Sequence, residues 1–238
     1  EITGNTFTGN TAELNILGNG LADAFGGALF IGGDFVGANG IESFATNSFS
    51  GNSVSTVDGV DGLGSAVMVD GSFSGGMTGC SFTDNSAPTF SIDGTFAVTG
   101  SVSGDISICT FDNNSVRGSG GGLFVVGDFT GDITGCTFTG NQAGAGESSF
   151  QVQRGGAIAI LGQFTASDAG LANCTFTNNS ASMDAQGNGV AEARGGAVHV
   201  GGNWNGPLRR NTFDNCRASS TDGDAFGAGL YAGGDFTG

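Results

Sequence analysis

Along the whole chain, apolar runs of four to six residues alternate with clusters of Gly, Thr, Ser and Asn, and the alternation repeats. The segment ITGCTFTGN, ending at Asn141, occurs in seven related copies centred on Phe7, Phe49, Phe82, Phe111, Phe138, Phe176 and Phe213. Successive central Phe residues lie 27 to 42 positions apart. An Asn follows three residues later as Asn10, Asn52, Asn85, Asn114, Asn141 and Asn179, until Cys216 takes that place in the last copy. A constant motif at an elastic period predicts identical structural units with loops of variable length inserted at one point.

Each unit continues, after a polar loop, into a glycine-led apolar run that begins at Gly26, Gly64, Gly121, Gly155, Gly195 or Gly227. A short piece with one aromatic then precedes a turn, as in GDFVG, GSFSG and GNWNG; the weakest copy starts at Thr95. These runs are β-branched or alternating and bounded by glycine, which predicts strands. No stretch shows the 3.6-residue period of a helix. The turns between strands lack the paired Asn-Gly chemistry of tight hairpins. Three short strands per unit are therefore expected to coil, each unit forming one rung of a parallel β-helix. The predicted fold is all-β: one continuous solenoid over residues 1–238, with about seven three-strand rungs and no caps.

Side chains alternate in and out along a strand, so aligned rungs place one residue type above another. The expected inward columns are the seven Phe residues; Leu29, Val67, Phe96, Leu123, Ile158, Val198 and Leu230; Ile31, Val69, Val98, Val125, Ile160, Val200 and Ala232; and Phe35, Phe73, Val102, Phe129, Phe164, Trp204 and Phe236. The Asn column fits a bend at which side-chain amides bond up and down the stack. Glycine before the second strand marks a corner that needs positive φ or close backbone approach.

Composition narrows the function. Gly accounts for 48 of 238 residues and Pro for 2, which excludes collagen and proline-rich disorder. Twenty Phe supply a core. Six Arg, no Lys and 22 acidic residues give a net charge of −16, which argues against nucleic-acid binding. No apolar run is long enough to span a bilayer. No signal peptide is visible and the first residues already lie in a strand motif, so the chain reads as a processed or excised segment.

Candidate chemistry is sparse. Cys80, Cys109, Cys136 and Cys174 share the column two residues before the central Phe, where Asn5, Asn47 and Asn211 stand in other rungs. Rungs about 4.8 Å apart put neighbouring Cα atoms within disulfide range. Cys80–Cys109 with Cys136–Cys174 is the preferred pairing; Cys109–Cys136 and a reduced stack are the alternatives. Asp58, Asp61, Asp222 and Asp224 lie in glycine-containing loops that suit Ca²⁺, without matching a known calcium motif; no other cofactor is expected. The only histidine, His199, falls in an outward column with Phe30, Met68, Phe124 and Tyr231, which reads as an exposed face for lateral contact. Arg154 and Arg194 should stack on one edge and balance acids such as Glu147 and Glu192. Sequons at Asn113, Asn173 and Asn178 stand beside packed strands. No paired carboxylates or proton-abstracting base suggest catalysis, so an enzyme is not expected.

The paired signatures, Gly-Gly-Ala followed by an aliphatic residue (intact at Gly26, Gly155 and Gly195) and Phe-x-x-Asn, resemble the repeats of chlamydial polymorphic outer membrane proteins. The resemblance implies a right-handed β-helix displayed extracellularly on a cell surface, with adhesive roles. The last residues, GDFTG, joined to the first, EITGNTFTGN, reproduce the internal run DFTGDITGCTFTGN from Asp128. That match suggests head-to-tail self-association, about 34 Å per copy if seven rungs are each about 4.8 Å. A structural segment of a filament or surface appendage is the first expectation. An adhesin that contacts a host or glycan ligand through its loop edge is the second.

Overall fold

The computed structural model describes residues 1–14, 23–37, 43–56, 62–88, 91–144, 152–183, 191–221 and 223–238. It is a right-handed parallel β-helix in which each strand pairs only with its copies in the rungs above and below. Among the described residues, no helix is long and apolar enough to cross a membrane.

The Phe-centred segment, expected as one strand, is divided by two bends into three. Five seven-stranded sheets result, each strand coming from a different rung. The first runs from Ile2–Thr3 to Leu208–Arg209, and the second, from Thr6–Thr8 to Thr212–Asp214, carries the central Phe residues. The third runs from Thr11–Leu14 to Arg217–Ser220. The fourth, Leu29–Ile31 to Leu230–Ala232, and the fifth, Phe35–Val36 to Phe236–Thr237, correspond to the glycine-led run and the aromatic piece.

Three bend columns hold φ between 50° and 72° in every rung, and their residue choice follows from the space outside each bend. The bends on either side of the second sheet accept Gly51 and Gly79, but also Thr46, Asp84, Ile108, Asn113, Asn173, Asn178, Arg210 and Asn215. A Cβ on Gly4, Gly9 or Gly51 would meet nothing within 4 Å. The bend before the fourth sheet is glycine in all seven rungs: Gly26, Gly64, Gly94, Gly120, Gly155, Gly195 and Gly227. There a Cβ on Gly155 would run into the Ile158 carbonyl oxygen, and one on Gly120 would come within 2.5 Å of that of Leu123.

All four predicted columns face inward and pair residue for residue, as in Phe82 with Phe111, Val67 with Phe96, Val69 with Val98, and Phe73 with Val102. The seven central Phe rings form one stack with centroids 4.7–4.9 Å apart and planes within 6° of parallel. In the third rung the last column narrows to Val102. Phe96 of the same rung compensates, setting its ring edge-on to Phe73 at 5.3 Å and to Phe82 at 5.9 Å. The departure from the repeat at Thr95 is thus a volume-conserving swap between two columns, the kind of change cores tolerate.

The sequence reading missed two inward columns. One is Ile2, Phe44, Met77, Ile106, Ile133, Leu171 and Leu208 on the first sheet. The other, on the third sheet, contains the small residues Ala87, Val116, Ala143 and Ala181. Both sit on two- to four-residue strands, too short to display an alternation.

Candidate functional site

The buried polar groups are organised by rung. In the Asn column, each interior Oδ1 accepts two bonds from the rung before, one from the backbone N–H and one from the side-chain amide of the preceding Asn. Asn85 gives these to Asn114 at 3.1 and 3.0 Å, and Asn141 gives them to Asn179 at 3.0 and 3.0 Å. The second amide hydrogen goes to the carbonyl of the preceding rung's Phe, as from Asn114 to Phe82 and from Asn141 to Phe111. Every side-chain bond is used internally, which buried amides require. At the end of the column Cys216 replaces Asn, and its Sγ lies 3.4 Å from the Phe176 carbonyl.

The cysteine column follows the same plan. The backbone N–H groups of Cys80, Cys109 and Cys136 each reach the Sγ of the next rung's cysteine at 3.4 Å. Each thiol also turns toward the carbonyl two residues back, at 3.2–3.5 Å. Asn47 and Asn211 close the column at either end, through Asn47 Nδ2 to Cys80 Sγ and Cys174 N–H to Asn211 Oδ1. All four thiols are free and buried. The cysteine pairing expected from rung spacing is thus not formed in this structure; each sulfur instead fills the hydrogen-bonding place of an Asn side chain.

The outward column on the fourth sheet is not the exposed face that alternation suggested. Met68, Ala97, Phe124, Ala159 and His199 are all buried. Two small parallel sheets formed by the segments between the third and fourth sheets flank this side. One comprises Ala24–Phe25, Gly62–Leu63 and Ser91–Asp93; the other comprises Val152–Arg154, Ala191–Arg194 and Gly223–Phe226. Met68, Ala97, Phe124 and Ala159 form a second apolar core with Phe25, Leu63 and Leu161. Lateral contact through Met68 and Phe124 is therefore ruled out. Of the four lateral-contact candidates, Phe30 is 47% exposed and Tyr231 is half-buried.

His199 stacks on Tyr231, with centroids 5.1 Å apart, and its Nδ1 has no partner. Burial, reinforced by Arg154 and Arg194, pushes its pKa down to about 3, so the ring is neutral. Arg154 and Arg194 do pair in register, and Arg194 forms an ion pair with Glu192. The Arg194 guanidinium also lies 5.3 Å from the Tyr231 ring centre and 5.9 Å from that of Phe226. Glu147 lies outside the described residues.

Asp132, after the fifth sheet, holds the loop of the next rung. Its carboxylate accepts the N–H groups of Ser167, Asp168 and Gly170 and the Ser167 hydroxyl at 2.8–3.2 Å. Burial alone would raise its pKa, but these donors outweigh it and hold the carboxyl below the usual carboxylate range. Beside this loop is an open groove of about 440 Å³ lined by Ala169, Ala172, Asn173, Arg209 and Arg210.

Of the calcium candidates, Asp58, Asp61 and Asp222 lie outside the described residues. Asp224 is exposed on a flanking strand in register with Glu192. Among the described residues, no three His, Cys, Asp or Glu side chains cluster to hold a metal. The sequon residues Asn113, Asn173 and Asn178 are exposed bend residues; the buried residues that follow them are the ladder amides Asn114 and Asn179 and the thiol Cys174.

The geometry defines a solenoid repeat protein whose buried polar chemistry runs along the axis. The resemblance read from its signatures holds over one unit. Residues 108–126, from an outer bend through the Phe and Asn positions into the fourth sheet, match the family model described as Chlamydia polymorphic membrane protein (Chlamydia_PMP) repeat. Neither a curated protein nor a solved structure matches the chain.

Proposed function

We propose that the chain is a structural segment of an extracellular filament or cell-surface appendage, working through length and display. The observation that carries this reading is the unbroken register of its columns. Rung 208–238 and rung 1–36 present the same residue types in the same order. In a continued stack Leu208 would meet Ile2, Phe213 would meet Phe7, Tyr231 would meet Phe30 and Phe236 would meet Phe35. Strand edges with matching columns template further pairing wherever they are left unpaired. The charges are mixed: Arg209, Arg210 and Arg217 share their rung with Asp214, Asp224 and Asp235, Glu1, Glu13, Asp23 and Asp34 lie on the other, and this register would set Asp224 over Asp23 and Asp235 over Asp34. A second copy stacked head to tail satisfies the apolar contacts of this set. The match of residues 108–126 to a membrane-protein repeat supports a surface setting.

Electron microscopy and fibre diffraction of the purified chain test the proposal. Filaments with a subunit repeat near 34 Å and reflections near about 4.8 Å support it. Particles of a single rung-stack length at every concentration and salt would overturn self-stacking.

A second reading, an adhesin, is favoured by the segments of different length that join the third sheet to the fourth on one side of every rung. Surface binding that is lost when those segments are shortened, with filament formation intact, would establish it.

A further inference from the structure

The column that holds Cys80, Cys109, Cys136 and Cys174 contains Asn5, Asn47 and Asn211 in the other rungs, and Asn would satisfy its hydrogen bonds throughout. The four thiols occupy consecutive rungs, each 1% exposed, with side chains turned the same way along the axis. Thiols supply one capacity that amides lack, which is to bond to each other.

We propose that this column is a redox site, oxidised by an external disulfide to two inter-rung bonds, Cys80–Cys109 and Cys136–Cys174. Neighbouring Cα atoms one rung apart, at about 4.8 Å, lie within the range a disulfide spans. The pairing follows from the row itself. Four thiols in line pair completely only as first with second and third with fourth, whereas a Cys109–Cys136 bond leaves two thiols stranded beside Asn47 and Asn211. In the closed column the neighbouring thiols shift one another. Cys136 is held down at about 4, first by Cys109 and then by Cys174, and Cys80 is held below the usual thiol range by Cys109. Cys109 and Cys174 are pushed above that range, chiefly by Cys136.

The step balances as ordinary exchange. The Cys136 thiolate attacks one sulfur of the external disulfide, whose S–S bond breaks and releases a thiolate that takes up a proton. Cys174 then gives up its proton and attacks the Cys136 sulfur of the mixed disulfide, expelling the second thiolate. Two protein thiols are oxidised and one external disulfide becomes two thiols; Cys80 and Cys109 react likewise. Because the column is sealed, exchange occurs while the rungs are assembling, and the closed solenoid then shields the bonds. The bonds close chain separations of 29 and 38 residues and staple the third rung to the fourth and the fifth to the sixth. The surface reading enters only as the oxidising setting that supplies the disulfide.

The test is refolding of the full chain in vitro, independent of its location, with a reduced/oxidised glutathione mixture and with reductant alone. Free thiols are counted after denaturation and linked peptides are mapped without reduction. We expect all five thiols after reductive refolding and one, Cys216, after oxidative refolding, with linked peptides for Cys80–Cys109 and Cys136–Cys174. Cys109→Ser should leave two free thiols, Cys80 and Cys216, and keep the Cys136–Cys174 peptide. Five free thiols after oxidative refolding of the unaltered chain, a Cys109–Cys136 peptide or any bond to Cys216 would overturn the proposal.

Discussion

Asn114 donates both its backbone N–H and its side-chain amide to Asn141 Oδ1, at 3.3 and 2.9 Å, so one oxygen ties a bend to the bend above it twice. The same Asn114 accepts two bonds from Asn85 and caps the Phe82 carbonyl. Replacing it with Ala orphans donors on Asn85 and the acceptor on Phe82 inside a dry core. Asn114→Ala is expected to lower stability by about 3–4 kcal/mol, since each buried unsatisfied group costs roughly 1–3. Asn114→Asp should also destabilise at neutral pH, because a carboxylate cannot donate to Phe82 or Asn141. Denaturant titration checks both.

The Phe stack predicts a position-dependent cavity cost. Phe111 is fully buried between Phe82 and Phe138, while Phe7 is only half-buried. Phe111→Ala should cost about 3–5 kcal/mol, the range for large-to-small changes in sealed cores, and Phe7→Ala clearly less. Equal shifts in the unfolding midpoint of the monomeric chain would contradict this account.

His199 makes stability depend on pH in a window no other side chain of its type can share, because the chain has one histidine. Its folded pKa, about 3, lies below the unfolded value near 6.5. The unfolded state therefore binds the extra proton between these values, and stability falls as pH drops from about 6.5 toward about 3, by up to roughly 1.4 kcal/mol per unit. His199→Phe removes both this slope and the unpartnered Nδ1. The variant should match or exceed the parent at pH 5, as read from thermal midpoints at pH 5 and pH 7.

Asp132 also loses stability as pH falls, but as a group that is charged rather than neutral in the folded state. Its carboxyl is held below the usual range, so its contribution is complete above about pH 4 and disappears as pH falls through the folded value. Asp132→Asn replaces one acceptor oxygen with a donor facing the N–H groups of Ser167 to Gly170. The variant should lose about 1–2 kcal/mol at pH 7, and the difference should shrink as pH falls below about 4. A difference that does not shrink at all as pH is lowered through the acid range would show that charge is not what holds the loop.

The solenoid and its four main columns were legible because a strand's inside and outside are set by a two-residue period, and stacking copies in register leaves no freedom for the pairing partner. Phe-x-x-Asn located the ladder for the same reason: both residues recur at one phase of every rung. The glycine column before the fourth sheet was visible at Gly26, Gly64, Gly155, Gly195 and Gly227, where a carbonyl three residues on excludes a Cβ; in the fourth rung the bend falls at Gly120 rather than Gly121, and Gly94, whose Cβ would meet that of Phe124, was missed. The first and third sheets escaped notice because two αL bends cut a nine-residue motif into pieces with too few residues to show a pattern.

What lies over the fourth sheet could not be read from the chain, and it was decided in three dimensions. Alternation assigns Met68, Phe124 and His199 to the outside of their own strand, which is correct locally. Segments of irregular sequence, however, return to pair with one another across that face and turn it into a second core. Periodicity reports which side of a strand a residue occupies, whereas burial depends on which other segment comes to cover that side. The sequence by itself determined the rung, its register and its ladders, because those follow from repetition. Tertiary structure alone determined the neutral buried histidine, the carboxylate clip at Asp132 and the exposure of Asn113, Asn173 and Asn178, because those depend on contacts that occur once.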